Sequence, residues 1–215
     1  MKIELCHQRK SVVDETGSVL VTGGPGCGKT TVALEKARVT IDGGLNTGEK
    51  ILFLSFSRSA VARVIEASET QLSKTIRASL SMQTFHSFYW EILKGFGYLL
   101  GAPKNLKLLQ PQDEAARRHQ FESDGGDWSI ERERIFTTEG LVAFDLFAEK
   151  THELLAKSTR IRSLFASRHP MIVVDEAQDT AEDQWQCVRL LSEFTQLVCL
   201  ADLEQQIYDL SLIHI

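Results

Sequence analysis

The sequence predicts an α/β fold: a parallel sheet flanked by helices and interrupted by a mainly helical insertion. Two observations predict it. Short apolar runs alternate with helical stretches near both ends of the chain, and apolar strands separated by helices imply a parallel sheet covered on both faces. Between them lies a stretch in which strand signals are absent and charged helical patterns take over. A chain of 215 residues, 43% hydrophobic and 25% charged, suits one large domain or two small ones with a substantial core.

The elements follow in order. "SVLVTG" is a strand, Lys29 to Thr40 a helix, "KILFLSF" a strand and Ser59 to Ala67 a helix. From about Tyr98 to Arg168 stand the charged helical stretches "PQDEAARRHQFE" and "LVAFDLFAEKTHELLAKS", with the polar, Gly-rich "ESDGGDWS" as a break between them. The alternation resumes with the strand in "PMIVVDEAQD", a helix from Ala181 to Glu193 and the strand "QLVCLAD". There is no internal repeat and no low-complexity segment.

Composition excludes several classes. No apolar run approaches the ~20 residues that cross a bilayer, and Met1 to Arg9 lacks the apolar core of a signal peptide, so a cytoplasmic protein is expected. Cys6, Cys27, Cys187 and Cys199 are widely scattered, which suggests buried thiols in a reducing compartment and neither a metal site nor a disulfide framework. A net charge of -5 does not advertise a nucleic-acid binder, but a local basic groove can hold phosphate on an acidic protein.

The most informative stretch is Gly23-Gly24-Pro25-Gly26-Cys27-Gly28-Lys29-Thr30, followed by Thr31, between the first strand and the first long helix. Glycines let main-chain N-H groups approach phosphate oxygens, and the helix start points its positive dipole end at them. Lys29 is expected to reach the β and γ phosphates, and the Thr30 hydroxyl to ligate Mg²⁺. Cys27 sits at a free position and reads as a spacer, since no base accompanies it. The ligand class is thus a nucleoside triphosphate with Mg²⁺.

"MIVVDEAQD" supplies the acidic partner. Asp175, at the carboxyl end of a buried strand, is expected to hold Mg²⁺ through its water shell beside the phosphate loop on a neighbouring strand. Glu176 is placed to polarise the attacking water.

With these residues in view, Asp175-Glu176-Ala177-Gln178-Asp179 resembles motif II of the superfamily 1 helicases, in the group of UvrD, Rep and PcrA. "LSFSRSAVARV" resembles motif Ia, and the resemblance implies that Phe56, Ser57 and Arg58 line a path for single-stranded DNA. "MQTFHSFYWEIL" is similar to the Thr-Phe-His-Ser-Phe segment, placing Thr84 and His86 near the DNA backbone. "CLADLEQQIYDL" resembles motif III, with Gln205 as the phosphate-sensing Gln and Tyr208 as the aromatic near DNA. Gln8 fits the adenine-reading Gln, although the Leu-Asn expected before it is missing. Phe56 and Phe85 could instead be core aromatics, His86 a structural histidine and Arg58 a solvated charge.

The resemblance implies a RecA-like P-loop NTPase domain formed by residues 1–97 and 169–210. It implies a helical insertion at 98–168, and a non-native or truncated tail at 211–215. It implies ATP, Mg²⁺ and single-stranded DNA as ligands, 3′-to-5′ polarity, and a second RecA-like domain in cis that supplies arginine fingers. Ala201 stands where Gly is usual and Leu203 where an acidic residue is usual. The competing reading is a nucleotide-gated DNA- or protein-binding module without unwinding activity. A P-loop kinase or GTPase does not fit, since no Asn-Lys-x-Asp occurs.

Overall fold

The computed structural model describes residues 6–202. In chain order, α1 (His7–Asp14) precedes β1 (Val19–Thr22), α2 (Lys29–Asp42), β2 (Ile51–Ser55), α3 (Arg58–Gln71), α4 (Lys74–Ala78) and β3 (Leu80–Thr84). Next come α5 (Phe85–Phe96), β4 (Lys107–Leu108), α6 (Pro111–Ser123), α7 (Trp128–Arg134), β5 (Leu141–Val142) and α8 (Leu146–Lys157). The described chain ends with α9 (Thr159–Arg168), β6 (Met171–Val174), α10 (Glu182–Ser192) and β7 (Gln196–Ala201).

Residues 6–85 and 160–202 gather into one compact unit and residues 86–159 into another. The compact division thus lies at 86 and 160, against a composition change read at about 98 and 168. Helix α9 sorts with the first unit because Ile161, Phe165 and Ala166 are buried and its last carbonyl, on Arg168, accepts from the Lys50 N-H at the entry to β2.

The first unit is built on a sheet of five strands in the order β1-β7-β6-β2-β3, with every pairing parallel. β2 and β6 are buried along their whole length, which is why they read as continuous apolar runs. β1 lies at one edge and alternates between partly buried and exposed residues. β3, at the other edge, buries only Leu80 fully, so "LSMQT" gives no apolar run and carries no strand signal in the sequence. Ala33, Leu34 and Ala37 of α2 pack with Ile51, Phe53, Val173, Val198 and Leu200 of the sheet in one apolar core.

The strand order corrects one expectation. β6 and its Asp175 are not on the strand neighbouring the phosphate loop, because β7 pairs with both β1 and β6 and separates them. At ~4.8 Å per strand the offset is roughly 10 Å.

The second unit is mainly helical, as expected, with one addition: β4 and β5 form a short parallel pair, Lys107 with Leu141 and Leu108 with Val142. Strands of two residues are too short to leave a periodic signal. Phe88, Tyr89, Ile92 and Leu93 of α5 are buried. Lys150 is almost fully buried with its ammonium 5.4 Å from the Phe136 ring centroid and 2.6 Å from Glu133.

Candidate nucleotide and nucleic-acid site

The loop from Gly23 to Gly28 leaves β1 and turns into α2. Gly28 caps the helix at φ +87°, a left-handed conformation that side chains other than Gly rarely adopt. At Gly23 the reason is space: a Cβ there would stand 2.6 Å from the Cys27 Sγ, where the loop folds back on itself. The Gly23 N-H donates to the Ala201 carbonyl at 3.2 Å, tying the loop's start to the end of β7. Gly24 is half-buried, Pro25, Gly26 and Cys27 are exposed, and the Cys27 N-H closes a turn on the Gly24 carbonyl at 3.3 Å. The exposed Cys27 thiol fits the spacer role.

Lys29 occupies the first position of α2, and its ammonium donates to the carbonyls of Gly23 at 2.6 Å and Gly24 at 3.2 Å. It is therefore folded across the mouth of the loop, in reach of any oxyanion the loop holds. Thr30 beside it is half-buried. Thr31 is otherwise engaged: its hydroxyl accepts from Gln71 Nε2 at 3.3 Å, which ties α2 to the end of α3. Gln8 is exposed on α1, one residue before an arginine that touches the loop.

Asp175 follows β6, and its N-H extends the ladder to the Leu54 carbonyl at 2.9 Å. It is 7% exposed. Burial, and then the neighbouring Glu176 carboxylate, push its carboxyl up to about 6, against the opposing pull of Arg63 and Lys29. Glu176 has φ 51° and is the one non-Gly residue with positive φ among the described residues. Such a conformation is strained by about 1–3 kcal/mol and persists only where neighbours over-determine it. Here Gln178 Nε2 donates to the Glu176 carboxylate at 2.9 Å while Gln178 Oε1 accepts the Asp202 N-H at 2.9 Å. Arg63 of α3 lies 3.7 Å from the same carboxylate.

Sequence reasoning gave Gln178, Arg63 and Arg9 no role. Gln178 was legible only as part of the selective "DEAQD" string, and Arg63 and Arg9 act through contacts far apart in sequence.

The residues suit a Mg²⁺ nucleotide. Among the described residues no group of three or more His, Cys, Asp or Glu is placed to hold a metal by itself. A hard cation here would draw on the Thr30 hydroxyl, the desolvated Asp175 carboxylate, phosphate oxygens and water, the oxygen-rich set Mg²⁺ prefers. A carboxyl pushed up to about 6 by burial is one that a bound cation stabilises in its ionised form.

At the same end of the sheet, β2 runs out into Phe56, Ser57 and Arg58. Phe56 is 50% exposed and so is not a core aromatic, while Phe85 is fully buried and is one. Ser57 has a local task as the cap of α3, its hydroxyl accepting the Ala60 N-H at 3.1 Å. Arg58 is exposed, and Thr84, at the end of β3, is half-buried.

His86 belongs to the second unit, half-buried against Phe144 and Phe147 with ring centroids 6.1 Å away in each case. Trp90 stacks on Phe147 at 5.2 Å, and Lys94 lies over Trp90 at 5.8 Å. His86, Trp90 and Lys94 share one face of α5 at i, i+4 spacing, a pattern that the sequence itself carries. Gln205 and Tyr208 lie outside the described residues.

A family model described as an AAA domain matches residues 8–211. DNA helicase II of Salmonella typhimurium is 24% identical over 242 residues, covering 94% of this chain and 34% of the relative. ATP-dependent DNA helicase Rep of Escherichia coli is 24% identical, covering 94% of the chain and 36% of the relative. ATP-dependent DNA helicase PcrA of Leuconostoc citreum is 22% identical, covering 94% and 32%. The chain spans about a third of the length of these relatives. Together the phosphate loop, the buried Asp-Glu pair, the parallel sheet and the match across residues 8–211 show that the chain belongs to the AAA domain family, and it is similar to part of the UvrD, Rep and PcrA type of protein.

Proposed function

We propose that this chain is the ATP-binding motor domain of an ATP-dependent 3′-to-5′ DNA helicase or translocase that acts on single-stranded DNA in the cytoplasm. The observation that carries the reading is the convergence at one end of the sheet. The loop with Lys29 and Thr30, the buried Asp175 with Glu176, and the exposed Phe56-Ser57-Arg58 all leave the carboxyl ends of parallel strands, where α/β sheets bind ligands.

The division of labour follows from chemistry. Loop N-H groups and the Lys29 ammonium bind and orient the triphosphate. Thr30 and Asp175 would hold Mg²⁺, which when bound would supply charge neutralisation on the phosphate oxygens. Glu176 accepts a hydrogen bond from the attacking water and so aims it at the γ-phosphorus. Gln8 reads adenine, Gln205 senses the γ-phosphate, and Phe56 stacks on an unpaired base while Ser57, Arg58, Thr84, His86 and Tyr208 meet the strand.

The guanidinium that pairs with Glu176 among the described residues, Arg63, is 68% exposed at its side chain and engaged with the carboxylate. A transition-state arginine contributes 10³ to 10⁵ in rate in related chemistry. With Arg63 already engaged in this way, the proposal is that the chain binds nucleotide as a monomer and turns it over slowly unless a further transition-state arginine is supplied.

The test is Mg·ATP binding and hydrolysis by the chain, with and without an oligodeoxythymidylate. Lys29→Ala is expected to abolish binding. Glu176→Gln is expected to retain binding and to lower whatever hydrolysis the chain performs by roughly 10²- to 10⁴-fold. Unchanged binding in Lys29→Ala contradicts the assignment.

A further inference from the structure

Helix α1 poses a physical problem. Its sequence, HQRKSVVD, buries only Val13, and an isolated helix of eight residues is not stable in water. What holds it is Lys36, on α2, a lysine only 2% exposed. Its ammonium donates to the carbonyls of Val12 at 3.0 Å, Val13 at 3.2 Å and Glu15. All three ammonium protons are thus spent on the carboxyl-terminal carbonyls of α1 and the residue capping it, the negative end of that helix. Burial pulls the Lys36 ammonium below the ordinary lysine range, so the contact is costly and the three carbonyls are what offset it.

One turn before those carbonyls, α1 carries Arg9, whose Nη2 donates to the Cys27 carbonyl at 2.8 Å. The same nitrogen stands 3.4 Å from where a Cβ on Gly28 would be. In a trans peptide the C=O and the following N-H point in opposite directions. Holding the Cys27 oxygen on Arg9 therefore aims the Gly28 N-H to the other side of the loop. Gly28, with its left-handed backbone, is also where the loop becomes α2, and its own carbonyl already accepts the Val32 N-H at 3.0 Å. The peptide is fixed from one side by the helix it starts and from the other by Arg9.

We infer that Arg9 and Lys36 are positioning residues of the phosphate loop: the buried Lys36 ammonium fixes α1, and α1 presents the guanidinium that orients the Cys27–Gly28 peptide for an oxyanion. This rests on the proposal that the loop binds a triphosphate. Neither side chain touches the nucleotide base in this scheme. Their effect falls on phosphate binding and is the same for ATP and for a bare polyphosphate, which separates it from base recognition by a residue such as Gln8.

The experiment uses the 215-residue chain and titrates ATP and inorganic tripolyphosphate, each with Mg²⁺, by calorimetry, alongside thermal denaturation. Arg9→Ala is expected to weaken both ligands by a common factor of roughly ten- to a hundredfold, the worth of one charge-assisted hydrogen bond. Lys10→Ala, which removes an exposed cation from the same helix, is expected to change neither. Lys36→Met is expected to weaken both ligands to a similar degree, Lys36→Arg to restore them, and Arg9→Ala in the Lys36→Met background to add nothing, as for two residues acting in series.

A loss confined to ATP makes Arg9 a base reader and overturns the inference, as does no loss, or losses that multiply in the double variant. Should Lys36→Met not fold, Arg9→Ala and Lys36→Arg decide by the same criteria. Failure of the unmodified chain to bind either ligand overturns the triphosphate proposal itself and is distinguishable from these outcomes.

Discussion

At Asp175, the proposed role as a Mg²⁺ ligand opposes stability. Its carboxyl is pushed up to about 6 in the folded chain, against about 3.9 when unfolded. The folded state therefore holds the extra proton between those values, and stability falls as pH rises from about 4 through 6. Above that window the ionised, buried carboxylate costs on the order of 3 kcal/mol. Asp175→Asn is expected to raise the melting temperature at pH 7.5 in the presence of a chelator, with the gain vanishing towards pH 4; a pH series of thermal melts checks it. Phe56 gives the complementary case. It is half exposed, so Phe56→Ala is expected to leave the melting temperature unchanged while lowering single-stranded DNA affinity by roughly 5- to 100-fold, as an anisotropy titration would measure. Asp175 was legible because an Asp-Glu pair at a strand end is a local pattern, whereas Phe56 stood out only through the resemblance of "LSFSRSAVARV", which left a core aromatic as the alternative. The contacts of Arg9, Arg63 and Gln178 with partners 18, 113 and 24 positions away, respectively, were not legible.

At the scale of elements, legibility followed burial. β2 and β6, enclosed on both faces, wrote themselves as apolar runs, and α2, α3 and α10 as helical stretches between the strands. β3 is a half-buried edge strand and α1 a polar helix held by Lys36, so neither leaves a periodic apolar signal. Strand order was likewise illegible: that β7 lies between β1 and β6 is a property of crossovers, not of any stretch of residues. The short turn after β6 is held from β7 by Gln178, whose amide joins the Asp202 N-H to the Glu176 carboxylate. Gln178→Ala leaves a buried N-H without its acceptor and releases Glu176 from a strained backbone. A loss of about 1–3 kcal/mol in chemical denaturation is expected, together with weakened hydrolysis.

At the scale of the molecule, the proposed DNA binding by a chain of net charge -5 requires that the grip be concentrated locally. The exposed Phe56 and Arg58 at the carboxyl ends of the strands, within the same compact unit as the phosphate loop, are where that grip is proposed. Both ligands then bear on α3, whose start carries Ser57 and Arg58 and whose Arg63 reaches Glu176. Coupling between two sites is a reciprocal free energy, so nucleotide occupancy must alter DNA affinity by the same factor that DNA alters nucleotide affinity. The most direct measurement is the affinity of the chain for a labelled oligodeoxythymidylate with and without a saturating non-hydrolysable ATP analogue and Mg²⁺. The account predicts about a 5- to 150-fold change, lost in Lys29→Ala. Equal affinity in both conditions, or no binding to single-stranded DNA, would contradict it.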